Sequence, residues 1–203
     1  MSALRARMNM MNVGILVFNE VEVLDFAGPF EVFSITERNH EKCFNVFLIS
    51  ENDQILKARN GLLIKANYTI KNCPNIDILI IPGGYGAEKI EIHNETLLKW
   101  IVKMYTTCMY LCSVCTGTFL LAKAGVIINH TVTTHWLDIE ELQTQYPNLE
   151  VKRNKKYIDL GKIITSGGIS SGIEMSLHLV SKIINIEIAN YTAKRMEYNW
   201  EET

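Results

Sequence analysis

The chain has 203 residues, 48% of them hydrophobic and 21% charged, which is the composition of a globular protein with a sizeable core. A formal net charge of −2 gives no bulk attraction to nucleic acid or to an anionic membrane, so neither is expected as a partner. No apolar run has the length of a membrane span, and the N-terminal residues lack the apolar segment of a signal peptide. Five irregularly spaced cysteines then indicate reduced thiols and a cytoplasmic protein.

Short β-branched segments alternate along the chain with helical patterns, and we predict a disordered lead-in at 1–11 followed by one domain at 12–203. Strand, helix and strand repeated in this way predict an α/β fold with a mostly parallel sheet. In chain order the predicted elements are a strand at 13–18, a helix at 29–37 with Pro29 in its first turn, a strand at 44–50, a hairpin joining 54–58 to 62–66, a strand at 77–82, a helix at 95–107, a strand at 110–114, a helix at 117–124, a short strand at 131–133, a helix at 137–146, paired strands at 157–160 and 162–165, and helices at 172–184 and 187–196.

Chemically distinctive residues follow four of these strands at their carboxyl ends. The carboxyl ends of parallel strands meet at one edge of the sheet, where open α/β folds bind their ligands. We therefore expect these segments to converge on one site. They are the carboxylates Glu20, Glu22 and Asp25, the Pro-Gly-Gly turn at 82–84, the Cys-Thr-Gly turn at 115–117 and the glycine-rich segment at 166–172.

Cys115 stands between a predicted strand and a predicted helix, with Thr116 and Gly117 after it, in the pattern of a nucleophile elbow. The nearby helix N-terminus favours the thiolate and lowers the pKa of such a cysteine. The alternative is a buried, inert cysteine. Cys112 completes a Cys-x-x-Cys pattern, but its position inside the strand sends its side chain to the opposite face, which argues against a redox pair.

Asp25 lies in an apolar segment just before Pro29, and two roles remain open for it. It is either a helix cap or a carboxyl in an apolar pocket, with a raised pKa, that gives and takes a proton. Glu20 and Glu22 are rivals for the second role, whereas Glu31 is expected to be solvated.

The remaining candidate positions are less specific. Gly83 and Gly84 could direct backbone N–H groups at a developing negative charge, or simply form a turn. Gly168 could line the site or only allow close packing, and His135 could touch the site or be a packed residue beside Trp136. The sequence predicts no metal site.

Several segments resemble the ThiJ/PfpI superfamily, and the resemblance covers the chain from Val13 onward. Within that superfamily the chain is most similar to the isonitrile hydratase-like branch and to the effector domains of AraC-type regulators. The segments are 24–33 (LDFAGPFEVF), 82–84 (PGG), 114–122 (VCTGTFLLA), 133–136 (TTHW) and 164–173 (ITSGGISSGI).

The resemblance implies a flavodoxin-like three-layer sandwich with a nucleophile elbow, a homodimer and no cofactor. It places the family's reactive cysteine at Cys115, the acid of the hydratase branch at Asp25 and the residue after the cysteine at Thr116. Protease-like relatives have a histidine at that last position, so peptidase activity is not expected.

The function expected from this resemblance is hydration of a small electrophile, an isonitrile, to an N-substituted formamide. Gly83, Gly84 and Thr116 would steady charge and water, and Glu22, His135 and Gly168 would form walls of the site. The alternatives are a glyoxalase-like enzyme or a free-standing sensor of small molecules or oxidants. A DNA-binding regulator is not expected, because two helix-turn-helix units do not fit after residue 184.

Overall fold

The computed structural model of the protein describes residues 10–201. Within them the strands are β1 (Met11–Leu16), β2 (Glu37–Arg38), β3 (Glu41–Lys42), β4 (Phe44–Ser50), β5 (Ile55–Lys57), β6 (Leu63–Lys65), β7 (Tyr68–Thr69), β8 (Ile78–Ile81), β9 (Tyr110–Val114), β10 (Thr131–Val132), β11 (Glu150–Val151), β12 (Tyr157–Asp159) and β13 (Ile163–Ser166). The helices are α1 (Val23–Ile35), α2 (Tyr85–Lys89), α3 (Glu95–Thr107), α4 (Gly117–Lys123), α5 (Ile139–Gln145), α6 (Ser171–Ile183) and α7 (Ile186–Arg195).

Seven strands form the central sheet in the order β12-β13-β9-β8-β1-β4-β7. All neighbours are parallel except β12, which runs antiparallel to β13 at the edge. Helices α1, α6 and α7 pack together, and α2 and α3 both contact α4, so that helices flank the sheet. The predicted α/β sandwich with a mostly parallel sheet is therefore confirmed.

The core lies where central strands are covered by helices. Every residue of β8 and β13 is buried, as is most of β1 and β9. These strands consist mainly of Val, Ile and Leu because both faces of a parallel sheet are removed from water. The same burial explains why continuous apolar runs predicted them, and the predicted bounds of β4, β9 and α3 agree with the structure.

The prediction of a helix at 29–37 is wrong, since α1 begins at Val23 and ends at Ile35, with Pro29 in its interior. Proline removes a helical hydrogen bond and usually marks a first turn, which explains the error. Here tertiary packing overrides that preference. A Cβ at Gly172 would lie 3.4 Å from the Pro29 ring, and one at Gly28 would lie 2.8 Å from Ile173, so α1 and α6 are closely packed.

Several short elements escaped the sequence patterns, namely β2, β3, β7, α2 and the strand β11, which pairs in parallel with β10. Each of these strands has two residues and α2 has five, which is too few to produce a periodic signal. The predicted lead-in lies outside the described residues up to position 9, but Met11 already belongs to β1 and pairs with Phe44. Among the described residues, no helix combines the length and the hydropathy needed to span a membrane.

The predicted hairpin is present as β5 and β6, and Asn60 and Gly61 in its loop both have positive φ. The hairpin is attached to the loop that follows β1. Glu20 N–H donates to the Lys57 carbonyl at 2.8 Å, and Arg59 N–H donates to the Val21 carbonyl at 2.9 Å. The hairpin therefore supports the loop that leads to Asp25.

Candidate active site

Cys115 occupies a strained turn between β9 and α4, as the elbow pattern predicted. Its φ is 56°, in the left-handed region that a non-glycine residue occupies at a cost of about 1–3 kcal/mol. Its N–H donates to the carbonyls of Ser166 and Gly167, both at 3.2 Å, and its own carbonyl accepts from the Thr134 hydroxyl at 2.8 Å. Two segments, 166–167 and the one that carries Thr134, thus hold the turn, and Cys115 is only 6% exposed.

Gly117 allows α4 to start close to the neighbouring strand. A Cβ at this position would overlap the carbonyl oxygen of Ile81 and lie 2.9 Å from that of Pro82. Because those atoms belong to the backbone, no side-chain movement would relieve the overlap. The glycine two residues after the cysteine is thus required by the close approach of the helix to the end of β8.

Asp25 is the third residue of α1 and is completely buried. Its Oδ2 accepts a hydrogen bond from Gly83 N–H at 3.0 Å, whereas Oδ1 has no partner within residues 10–201. Burial raises its pKa from an ordinary 3.8 to about 7; the Gly83 hydrogen bond and the Cys115 thiol oppose the rise, and the charge of Glu22 adds to it. Asp25 is therefore a carboxyl that changes its protonation near neutral pH, and no side-chain capping bond is made at the start of α1.

The expectation that Cys115 is a stabilised thiolate is wrong. Burial raises the pKa of this thiol well above its ordinary value, and the charge of Asp25 adds to the rise. The Thr116 N–H opposes the rise without overcoming it, because burial is the larger effect. The resting group is a neutral thiol beside a carboxyl that titrates near pH 7.

The amides of Gly83 and Gly84 are already engaged, which corrects their predicted part in an oxyanion hole. Gly83 N–H binds Asp25, and Gly84 N–H donates to Thr116 Oγ1 at 2.9 Å. A Cβ at Gly83 would lie 2.5 Å from the Thr116 nitrogen. The Pro-Gly-Gly turn thus fixes the carboxyl of Asp25 and the hydroxyl of Thr116 relative to the elbow.

His135 lies at the site, which settles the alternative left open by the sequence. A methyl group at Gly168 would stand 2.6 Å from His135 Cδ2 and 2.8 Å from Cys115 Sγ, so both side chains pack closely against this glycine. His135 Nδ1 lies 3.0 Å from Asp138 Oδ2, and both side chains are mostly buried. The sequence analysis missed Asp138, although its position three residues after His135 was a usable signal.

The other carboxylates of the region separate into two groups. Glu22 is partly buried and its charge acts on Asp25, whereas Glu20 forms an ion pair with Arg59 at 3.3 Å on the protein surface. Glu31 is exposed, as predicted. Glu88, on α2, was not foreseen: it is partly buried near Thr116, and burial and the charge of Asp138 raise its pKa.

Cys112 takes no part in the site. It is buried in β9, where its charged neighbours are Asp159 and Lys182, away from the elbow. All five cysteines are free thiols. Within residues 10–201 no three His, Cys, Asp or Glu side chains are grouped as ligands for a metal ion.

The chain was compared with known proteins. A model of the DJ-1/PfpI family matches residues 11–182. The chain belongs to the DJ-1/PfpI family. This confirms the ThiJ/PfpI resemblance seen in the sequence motifs.

Three proteins illustrate the similarities of this DJ-1/PfpI protein. Isonitrile hydratase from Pseudomonas putida is 29% identical over 93% of this chain and 78% of the relative. The HTH-type transcriptional regulator CdhR from Pseudomonas aeruginosa is 26% identical over 82% of this chain, which spans only 49% of the regulator. A ThiJ/PfpI family protein from Pseudomonas syringae has a TM-score of 0.82 at 20% identity, covering 100% of this chain and 83% of that one, and shows the shared fold.

The raised pKa of Asp25 predicts how stability depends on pH. Between pH 3.8 and about 7 the folded protein holds this proton more tightly than the unfolded chain, so Asp25 reduces the free energy of unfolding as the pH rises. Asp25→Asn should therefore gain stability relative to the parent between pH 4 and pH 8, by at most roughly 4 kcal/mol at about 1.4 kcal/mol per pKa unit. Urea unfolding of both proteins at pH 4 and pH 8 measures this gain. The same difference in free energy of unfolding between variant and parent at the two pH values would contradict it.

The effect of Asp25 on the thiol predicts a change in cysteine reactivity. Asp25→Asn removes a negative charge that raises the pKa of Cys115, so iodoacetamide should label Cys115 faster in the variant at pH 8. Peptide mapping follows the rate, with Cys43 in the same molecule as the internal reference. Slower labelling would mean that the protonated carboxyl instead stabilises the thiolate by donating a hydrogen bond.

Gly168 and Gly167 offer a matched pair of substitutions in one turn. Gly168→Ala inserts a methyl group between His135 and Cys115 and should lower the free energy of unfolding by about 1–3 kcal/mol, the usual cost of overpacking. At Gly167 the nearest atom to the new methyl group would be Ser171 Oγ at 3.2 Å, so Gly167→Ala should cost less. Urea denaturation measures both, and equal costs would contradict the close approach at Gly168.

Proposed function

We propose that this DJ-1/PfpI protein is an isonitrile hydratase, which adds water to an isocyano carbon and releases an N-substituted formamide. The observation that carries the proposal is the buried carboxyl of Asp25, whose pKa is about 7 and whose Oδ1 has no partner, beside the buried thiol of Cys115. The similarity to isonitrile hydratase over 93% of the chain supports the same chemistry.

The pairing of a neutral thiol with one titratable carboxyl suits the first half of this reaction. An isocyano carbon must receive both a nucleophile and a proton on the same atom. Asp25 as the carboxylate takes the proton of Cys115 while the sulfur bonds to the carbon, and then delivers that proton to the same carbon. The product is a thioimidate on Cys115, and Asp25 is again ionised.

Water completes the reaction in the second half. It adds to the thioimidate carbon, the nitrogen gains a proton, and the carbon–sulfur bond breaks to release the formamide and restore the thiol. Thr116 acts as a positioning residue, since its hydroxyl oxygen binds Gly84 N–H and fixes the turn that holds Asp25. The charge of Glu22 adds to the rise in the pKa of Asp25 that burial causes.

A second candidate function is a sensor whose Cys115 reacts once with a small electrophile or oxidant. The similarity to CdhR favours it, although the chain spans about half of that regulator. The two functions differ in turnover, because an enzyme releases many products per molecule and a sensor reacts at most once. The implied homodimer stays a prediction.

Purified protein supplied with alkyl and aryl isonitriles should release formamide over many turnovers, followed by mass spectrometry. Asp25→Asn should stay folded but lose roughly 10²–10⁴-fold in rate, the usual contribution of general acid–base catalysis. Cys115→Ser should abolish turnover, because a hydroxyl ionises too weakly to replace the thiol.

Glu20→Gln is the matched control for Asp25→Asn. It neutralises a carboxylate of the same loop whose partner is Arg59 on the surface, and turnover should be unchanged. Stoichiometric modification of Cys115 without released formamide would replace the hydratase by the sensor. Full turnover by Asp25→Asn would remove the proton-transfer role from this residue.

A further inference from the structure

A cavity of about 340 Å³ lies where β1 and β4 end, at the same edge of the sheet as the elbow but beside different strands. This volume is within the range of small-molecule sites. Residues from the segments 16–19, 51–56 and 90–97 line the cavity. Cys115 and Asp25 are not among them, so the cavity is separate from the proposed catalytic centre.

Two carboxylates that line this cavity share one amide group. Asn94 Nδ2 donates to Glu51 Oε2 at 2.6 Å and to Glu91 Oε2 at 2.8 Å. The orientation of the amide is fixed from its other end, because Asn94 Oδ1 caps α3 by accepting from Leu97 N–H at 3.1 Å. Both amide hydrogens are thus in use, and Oε1 of each carboxylate accepts no hydrogen bond from residues 10–201.

The charge of this pair is not compensated by the described part of the chain. Glu91 is only 9% exposed, yet neither Glu91 nor Glu51 forms an ion pair with a lysine or arginine of residues 10–201. Burial raises the pKa of Glu91; the Asn94 hydrogen bond opposes the rise, and the charge of Glu51 adds to it. Buried carboxylates are rarely left without a partner. A buried carboxylate with a free oxygen in a cavity therefore indicates a cationic ligand.

Apolar side chains supply another part of the lining. Those that are almost completely buried are Leu16, Phe18, Leu56 and Leu97. No lysine or arginine of the described chain lines the cavity, and His93, which does, is exposed. A ligand that joins a positive charge to a short apolar body would satisfy both kinds of surface, because burial of its apolar part is also favourable.

The free oxygens discriminate between kinds of cation. A guanidinium binds both oxygens of one carboxylate in a plane, but Oε2 of each glutamate is already engaged by Asn94. Quaternary ammonium ions are bound by cages of aromatic rings, whereas Phe18 is the only Phe, Tyr or Trp in the described lining. A metal ion between the carboxylates would meet the NH₂ group of Asn94, which donates hydrogen bonds and cannot ligate.

We propose that this cavity binds a small primary alkylammonium ion. Its three N–H donors suit two separate acceptors, Oε1 of Glu51 and Oε1 of Glu91, and its alkyl chain packs against the buried leucines of the lining. The site shares no residue with the proposed catalytic centre, so its ligand does not depend on the hydratase function.

Isothermal titration calorimetry with n-pentylamine at pH 8 tests this site. The parent protein should bind pentylamine saturably, and pentan-1-ol, which has a similar shape without the charge, roughly 10-fold more weakly or less. Glu91→Gln should weaken pentylamine binding roughly 10- to 100-fold, through loss of a hydrogen bond between charged groups. The substitution keeps the shape and removes a buried charge, so the variant should fold. Glu51→Gln, at a less buried position, should weaken binding too and tests the site if Glu91→Gln does not fold.

Glu95→Gln is the matched control, because Glu95 lies in the same segment but is exposed and pairs with Lys99 at 3.0 Å. This variant should bind pentylamine as the parent does. Asp25→Asn should also bind it normally, since the buried carboxyl of the elbow is not part of the cavity. Unchanged binding in a folded Glu91→Gln, loss of binding in Asp25→Asn, or no saturable binding by the parent would overturn the alkylammonium site. Tighter binding of MgCl₂ or CaCl₂ than of pentylamine would overturn it in favour of a metal ion.

Discussion

The left-handed backbone of Cys115 is the constraint on which the site depends. With φ at 56° the residue turns out of β9 directly into α4, and the hydrogen bonds from its N–H to Ser166 and Gly167 replace the strand pairing that the turn interrupts. Because the carbonyl of the same residue accepts from Thr134, the elbow also fixes the segment that carries His135. One strained residue therefore brings β13, α4 and the loop after β10 to a common point.

The position of Asp25 is determined by a different set of contacts. Asp25 enters the core on the first turn of α1, and α1 can run so close to α6 only because Gly28 and Gly172 leave room between the helices. The Gly83 amide and the Cys115 thiol lower its pKa, but burial outweighs them, so the pKa rises to about 7 instead of falling. The helix packing that stabilises the fold is thus also what tunes the acid.

The sequence predicted those features that depend on local pattern or on strand topology. Continuous apolar runs predicted the central strands. The rule that the carboxyl ends of parallel strands meet at one edge correctly predicted that Cys115, Asp25 and the Pro-Gly-Gly turn lie together. Features that depend on tertiary contacts were missed: the true start of α1 ahead of Pro29, the engagement of the Gly83 and Gly84 amides, and the burial that keeps Cys115 protonated. Each of these features depends on which atoms lie close together in the folded chain, and the spacing of residues along the sequence does not contain that information.

The hairpin formed by β5 and β6 has a consequence for the position of Asp25, a residue to which it makes none of its described bonds. Its backbone bonds to Glu20 and Val21 hold the loop before α1, and the Arg59 guanidinium at its tip lies 5.6 Å from the centre of the Tyr85 ring, at the start of α2. None of these bonds involves a reacting atom of Cys115 or Asp25. A change in the hairpin would therefore act on the carboxyl from a distance, by shifting the loop that leads to Asp25.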